Sequence, residues 1–421
     1  MLTYHLIEST QRLTDPNNSS KASKPNSHLQ ATSQLVVDAV VEMTNIVESM
    51  HQRISPVAKL TGSSQKDRTR GLTGLVYNSI RNLTELVGKG IDAPLGVISK
   101  SLDKTPINAS MSALQSALNG VLGDHLLERA SPLAIKMGIK KEGRELGPDE
   151  LVRIVQQSKG KLVILVHGLC MNDTQWAQSG HDHGEAIANE LGHTTVYLHY
   201  NTGLHISQNG ESFSHLLEQI VTLFKAGNIS VPLQLSVVAH SMGGLVSRSA
   251  HHHAQSQQYQ WPEYFDNLVC LGTPHHGAPL EKAGNWIDLL LGFHHYTVPL
   301  TKLTQIRSAG ITDLRHGNII ESDWQTRNRF DFAKDKRTPL ELPKNVNCYA
   351  VATTSSTRSN KLTEQLLGDG LVPLDSALGK HQSKPFTLDF HEHYIDNDIN
   401  HIELLSDRKI YDAIKRWLEK S

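Results

Sequence analysis

The sequence predicts an α/β fold: a mostly parallel central sheet flanked by helices, with a lid insertion and a helical N-terminal region. Three observations carry this reading. From residue 161 onward, short apolar runs such as KLVILV (161–166) alternate with amphipathic stretches. That is the rhythm of buried parallel strands joined by crossover helices. One apolar run, VVAHSMGGL (237–245), passes straight from strand pattern into helix pattern through Ser241. Residues 275–345 then break the rhythm, as an insertion over the strand ends would.

The bulk composition narrows the function. The chain has 421 residues, with 41 Lys+Arg against 42 Asp+Glu, so the formal net charge is -1. A nucleic-acid binder would show a basic excess, so no nucleic-acid partner is expected. No run of 18 or more apolar residues appears. The N-terminus has no basic segment leading into an apolar stretch, and Cys170, Cys270 and Cys348 are too few and too scattered for a disulfide framework. A cytoplasmic setting is the expectation. The 24 histidines raise the question of metal binding or pH sensing.

Taken in order, residues 1–33 are polar, Ser-, Asn- and Pro-rich, and read as a flexible segment. Residues 34–130 read as a helical region with three amphipathic patterns. The first holds Val36, Val40, Met43, Val47, Met50 and Ile54; the second Leu72, Val76, Ile80, Leu83 and Val87; the third Leu114, Leu118, Val121, Leu122 and Leu126. The catalytic domain is expected over 131–421. It opens with a strand pair from Leu133 to Leu146 around the KKEG turn, then the strand Lys161–Val166. Next come a helix at Glu185–Leu191, a strand at Thr195–His199 and a helix at Glu211–Phe224. A strand at Leu233–Ala239, a helix at Gly243–Ala254 and a strand at Asn267–Leu271 follow. After the insertion come strands at Val346–Ala352 and Pro385–Phe390, and a closing helix at Ile402–Leu418. Within the insertion, Trp286, Ile287 and Leu289–Leu291 would meet a lipid chain or simply be buried.

The chemistry centres on Ser241. A strand-to-helix turn this tight leaves room only for small residues two before and two after the serine, here Ala239 and Gly243. It lifts the hydroxyl above the sheet and aims a helix N-terminus at the reaction centre. Upstream, the strand ending in His167-Gly168-Leu169 offers a backbone N–H that pairs with that of Met242 as an oxyanion hole. His167 is expected to order this loop and Gly168 to let the backbone approach. Cys170, expected to be the most exposed cysteine, lacks an elbow of its own. The carboxylate that orients the base is sought late in the sheet. Asp369 lies between two glycines in LLGDGLVP (366–373), and Asp375 is the runner-up. The base should follow the last strand. His401 at the mouth of the final helix is favoured over His391 and His393.

With these residues in place, the chain resembles the α/β-hydrolase lipases and esterases over residues 131–421. The segments LVHGL, AHSMGG, LGTPHHG (271–277), GDGLVP and NHIELL fall in that superfamily's order. LGTPHHG resembles the lipase and GPI inositol-deacylase-like branch. ALNGVLGDHL (117–126) and YNTGLHISQNG (200–210) are similar to a bacterial esterase/lipase group. Ala239 departs from the more usual glycine. The resemblance implies an α/β-hydrolase fold and a serine hydrolase that cleaves carboxylic esters through Ser241, Asp369 and His401 and an acyl-enzyme. It implies no cofactor. Substrate-facing positions would be His167, Gly168, His205 and His276, the last two because they follow strand ends. The expected partner is an ester or lipid-like small molecule, with transient contact to a lipid surface if that lipid is membrane-borne. The same residues would serve an acyltransferase or thioesterase, and a non-catalytic scaffold is the remaining alternative.

No metal site is read from the sequence. The clusters His251–His253, His275–His276 and His294–His295 have no recognisable ligand spacing. Asp396, Asp398 and Asn400 alternate like the first half of a calcium loop, against which stands a plain solvated acidic turn.

Overall fold

The chain divides into two units, Met1–Thr105 and Pro106–Ser421. The computed structural model describes residues 107–128, 130–131, 134–227, 231–278, 308–325, 337–354 and 368–420, all in the second unit. The two earlier helical patterns (36–54 and 72–87) and the apolar stretch 286–291 lie outside the described residues.

Among the described residues eight strands form one sheet. They are β1 (Gly138–Lys141), β2 (Arg144–Leu146), β3 (Lys161–Val166), β4 (Thr194–His199), β5 (Gln234–His240), β6 (Phe265–Leu271), β7 (Asn347–Thr354) and β8 (Glu392–Asn397). Their spatial order is β2-β1-β4-β3-β5-β6-β7-β8. β1 is antiparallel to β2 and to β4, and the run from β4 to β8 is parallel. Parallel strands with helices on both faces read as continuous apolar runs. Accordingly every residue of β3 after Lys161 is buried, and β5 and β6 are nearly as dry. In register, Val166 pairs with Ala239 and His240 with Leu271, so β3, β5 and β6 end side by side where the nucleophile turn begins.

The longer helices among the described residues are α1 (Ile107–Glu128), α2 (Pro148–Gln157), α3 (His183–Leu191), α4 (Ile206–Ala226), α5 (Met242–Gln257), α6 (Ala309–His316) and α7 (Arg408–Leu418). α5 is buried from Met242 through His251. Its small residues allow close approach: a Cβ on Gly210 of α4 would come within 2.3 Å of Ser249 Oγ. α7 buries Ile410, Ile414 and Trp417, and the Trp417 ring stacks on Tyr349 of β7 at 4.6 Å.

Three elements differ from expectation. The strand expected at Pro385–Phe390 is a 3-10 turn, Lys384–Phe386, followed by loop, and β8 lies at Glu392–Asn397. β8 is a solvent-facing edge strand with a polar, charged sequence, so no apolar run marks it. The last helix begins at Arg408 rather than Ile402, because Asp407 caps it by accepting from the N–H groups of Lys409 and Ile410. α4 begins at Ile206, ahead of Glu211. Its first turn is closed by Gln208, which accepts from the His205 N–H, and by buried Asn209 and Gly210, residues of poor helix propensity.

α1 lies directly on the loops that follow β3 and β4. A Cβ on Gly120 would sit 2.2 Å from Cys170 Sγ, and one on Gly123 would collide with the Asn201 side-chain oxygen. Asn201 Nδ2 donates to the Gly123 carbonyl at 3.0 Å, and Ser308 Oγ to that of Gly120 at 2.7 Å. The N–H of Ile135 donates to Asn119 Oδ1 at 2.9 Å. Gly120→Val should therefore overpack this contact and lower stability by about 1–3 kcal/mol, read as a lower urea midpoint. Gly147→Ala, where a Cβ meets nothing within 4 Å, serves as the control. Equal midpoints for the two variants would refute the packing argument.

Candidate active site

The strand-to-helix turn holds Ser241 at φ 53° and ψ -122°. This is a positive-φ conformation that costs a non-glycine residue about 1–3 kcal/mol. The surroundings impose it. The Ser241 N–H donates to the Leu271 carbonyl of β6 at 2.8 Å, and the Gly244 N–H returns to the Ser241 carbonyl at 3.2 Å. A side chain at Gly243 would meet the Val166 carbonyl oxygen at 2.4 Å, and one at Gly244 would meet Thr273 Oγ1 at 2.2 Å. Ser241 is buried, and its hydroxyl makes no hydrogen bond among the described residues.

Asp369 and His401 meet across 32 residues of chain. His401 Nδ1 donates to Asp369 Oδ2 at 2.6 Å, and both side chains are 1% exposed. The other carboxylate oxygen accepts from the N–H groups of Leu371 (3.0 Å) and Val372 (2.8 Å). The glycines flanking Asp369 both take positive φ, 51° and 93°, which folds the loop around its carboxylate. His401 lies against the strand end that carries the serine. Its ring centroid is 4.6 Å from that of His240, and its carbonyl accepts from His240 Nε2 at 2.9 Å. Gly272, after β6, sits over this pair: a Cβ there would be 3.1 Å from both Asp369 Oδ2 and His401 Cε1.

The other candidate histidines and the second carboxylate go elsewhere. His391 Nδ1 accepts from the Cys348 N–H at 3.1 Å, and His393 is an exposed residue of β8. Asp375 opens a short helical turn, Leu374–Ala377. Asp396 accepts from Tyr394 Oη at 2.9 Å with Lys409 Nζ 3.5 Å away, while Asn400 Oδ1 caps the N–H groups of Ile402 and Glu403. Asp398 is exposed.

The turn after β3 is tied down on several sides. The Cys170 N–H donates to Thr202 Oγ1 at 3.1 Å, the Met171 N–H returns to the Gly168 carbonyl at 3.3 Å, and Cys170 takes φ 60°. A Cβ on Gly168 would lie 3.0 Å from Ser241 Cβ, so the segments carrying Leu169 and Met242 adjoin. Both of those residues are fully buried. His167 stacks on Tyr200 at 4.5 Å, and Tyr200 Oη donates to the His167 carbonyl at 2.7 Å. Burial pushes the His167 imidazole down to about 3, so it is neutral near pH 7.

Cys170 is not the exposed thiol the sequence suggested. It is buried under α1, its Sγ–H points to the Ala117 carbonyl at 3.7 Å, and burial pushes its thiol up to about 12. His205 packs on the described part of the insertion: its Nδ1 meets Asp313 Oδ2 at 2.9 Å and its ring stacks on Trp324 at 3.6 Å. His276 joins Arg248, His275 and Arg337 around a separate small cavity. The supporting residues Thr202, Asn201 and Tyr200 were not singled out from the sequence. They lie in the YNTGLHISQNG stretch, whose three polar or aromatic residues after a strand end were the available signal.

The strand order, the strand-to-helix turn at Ser241 and the mostly parallel sheet give the chain the α/β-hydrolase fold. More particularly, residues 157–355 match the family described as the PGAP1-like alpha/beta domain. Among solved structures the chain is similar to the mature lipase BlEst2 of Bacillus licheniformis, with 16% identity, 62% of this chain and 92% of that one covered, and a TM-score of 0.39. It is also similar to the Staphylococcus hyicus lipase, at 12% identity, 62% and 97% coverage and a TM-score of 0.34. The phospholipase PlaB of Legionella pneumophila gives 14% identity, 52% and 45% coverage and a TM-score of 0.34. No curated protein matches the sequence. No helix among the described residues is long and apolar enough to cross a membrane.

Two predictions follow from the burial of these groups. Native protein should resist iodoacetamide at Cys170, Cys270 and Cys348, with all three alkylated after denaturation; fast native labelling of Cys170 would contradict its position. His167 and His183 are each held down to about 3 by burial. The unfolded chain, with histidines near 6.5, therefore takes up protons first as pH falls. Their stabilising contribution is complete above about pH 6.5 and is lost between there and about pH 3, at about 1.4 kcal/mol per pH unit for each. The urea midpoint should be lower at pH 5 than at pH 7.5, and an unchanged or higher one would refute this.

Proposed function

We propose that this chain is a serine hydrolase of carboxylic esters. The observation that carries the proposal is the buried 2.6 Å contact between His401 and Asp369 beside the strained Ser241 turn. Asp369 fixes the His401 tautomer with the proton on Nδ1, so Nε2 is the nitrogen that acts as base. Ser241 Oγ attacks the ester carbonyl carbon while His401 Nε2 takes the hydroxyl proton. The negative charge that develops on the carbonyl oxygen is held by the N–H groups of Leu169 and Met242. His401 then gives its proton to the leaving alcohol, and the acyl group remains on Ser241. Water attacks this ester with His401 again as base, and the acid departs as Ser241 regains its proton.

His167 and Gly168 support the site from the turn after β3. In this reading His167, neutral and stacked, shapes the loop rather than moving protons. His205, held by Asp313 and Trp324 of the insertion, is assigned to the approach of the substrate, whereas His276 turns to the cavity it shares with Arg248 and Arg337. The substrate class is an uncharged or lipid-like ester, consistent with the near-neutral chain and the insertion at 275–345.

The test uses p-nitrophenyl esters of graded acyl length and a fluorophosphonate probe. Ser241→Ala should lower kcat/KM by more than about a thousandfold and abolish labelling. His401→Ala should match it, and Asp369→Asn should cost about ten-thousandfold with the fold intact. His393→Ala should leave the rate unchanged. Activity that survives Ser241→Ala, or that fails in His393→Ala and not in His401→Ala, would overturn the assignment. Preferential transfer to added glycerol or to a thiol would replace hydrolysis with acyl transfer.

A further inference from the structure

The His251–His253 run on α5 has no place in the ester chemistry, yet one member of it meets two ligand-type residues of the neighbouring helix. We propose that Glu211, His215 and His253 bind a zinc ion that joins α4 to α5. The ligand atoms of the three residues lie within 4.8 Å of one another. Glu211 and His215 are four apart on α4, so they share one helix face, with His215 Nε2 3.7 Å from Glu211 Oε1. His253 arrives from α5 because the two helices cross closely at Gly210 and Ser249, just before these positions. The His215 and His253 rings lie 5.3 Å apart, centre to centre.

Two further observations favour a cation over a chance grouping. His253 Nε2 is buried and has no hydrogen-bond partner among the described residues, although a ring nitrogen lodged between two helices would ordinarily find one. His215 is oriented from behind, with its Nδ1 2.7 Å from Tyr259 Oη. With Nε2 on the metal, Nδ1 carries the proton and donates it to Tyr259, the usual arrangement behind a zinc-bound histidine. Tyr259 is itself fixed, since Glu218 Oε2 on α4 accepts from the next two N–H groups, Gln260 at 2.9 Å and Trp261 at 3.0 Å.

Two imidazoles and a carboxylate suit zinc, whose ligands stand at about 2.0–2.2 Å in a tetrahedron. Small rotations of the half-exposed Glu211 and His215 side chains would close the set on the ion. Water would take the fourth position, so the ion would be exchangeable. His253 lies 12 residues along α5 from Ser241, about 18 Å at the helical rise. The site is therefore independent of the proposed hydrolysis.

The test is calorimetric titration of the full chain with zinc chloride at pH 7.5, alongside zinc-dependent melting. The wild type should bind one equivalent at micromolar or tighter Kd and melt higher with zinc. His253→Gln and Glu211→Gln should weaken that equivalent by at least about tenfold, and Tyr259→Phe, which keeps every ligand, by about tenfold. His252→Gln should bind as wild type. Without zinc all variants should melt together, which separates loss of a ligand from loss of fold. The proposal fails if the wild type shows no zinc-dependent shift. It fails equally if His253→Gln keeps the wild-type equivalent, which would mean diffuse binding by other histidines.

Discussion

Everything at the centre of this domain depends on the backbone of Ser241 being held at φ 53°. That conformation is unfavourable for serine and persists only where its neighbours allow no other. They do so from both sides. β6 takes the Ser241 N–H, and the end of β3 leaves no volume for a side chain at Gly243. The cost is offset by α5, which is buried along most of its length and cannot swing away without exposing the core. The strained turn and the buried helix are one device. The helix holds the turn, and the turn directs the N-terminal end of the helix toward the serine.

A second layer of support reaches the site from α1. The turn that carries Leu169 is not rigid by itself; it is a positive-φ bend at Cys170 fastened to Thr202 and covered by a helix face made of Gly120 and Gly123. Those glycines let the helix backbone approach to contact distance. The turn after β3, the loop after β4 and α1 thus form one interlocked unit. A change in the helix would reach the proposed oxyanion hole through Cys170, without touching substrate.

How much of this was legible depends on burial. β3, β5 and β6 are covered on both faces, so their sequences are apolar runs that announce themselves. β8 borders solvent, and its sequence EHYIDN carries no such signal; an apolar Pro385–Phe390 segment nearby misled the assignment. Ser241 was legible because its turn admits so few residue types. Asp369 stood out because two glycines must fold the loop around it. His401 could be ranked above His391 and His393 by position only, since its contact with Asp369 joins residues 32 positions apart. The grouping of His253 with Glu211 and His215 was out of reach for the same reason, as no spacing within one helix encodes a ligand set shared by two.

The histidine surplus acquires a physical account from this packing. Phe, Trp and Tyr make up only 5% of the chain, while His numbers 24. In the core, histidine rings occupy places where aromatic rings would ordinarily pack. His167 stacks on Tyr200 and His183 on Tyr411, and His251 meets Trp261 edge-on. An imidazole in such a place adds what a phenyl ring lacks, a donor or acceptor for a backbone group, as His183 does with the Leu404 carbonyl at 3.0 Å and His240 with that of His401. Desolvation keeps buried rings such as His167, His183, His240 and His251 neutral near pH 7. The same burial makes them costly to protonate, so a core built from imidazoles couples the fold to pH more steeply than one built from phenyl rings. The buried rings His167, His183, His240 and His251 are therefore structural aromatics with a polar edge. His401 is set apart by pairing with a carboxylate where both side chains are 1% exposed.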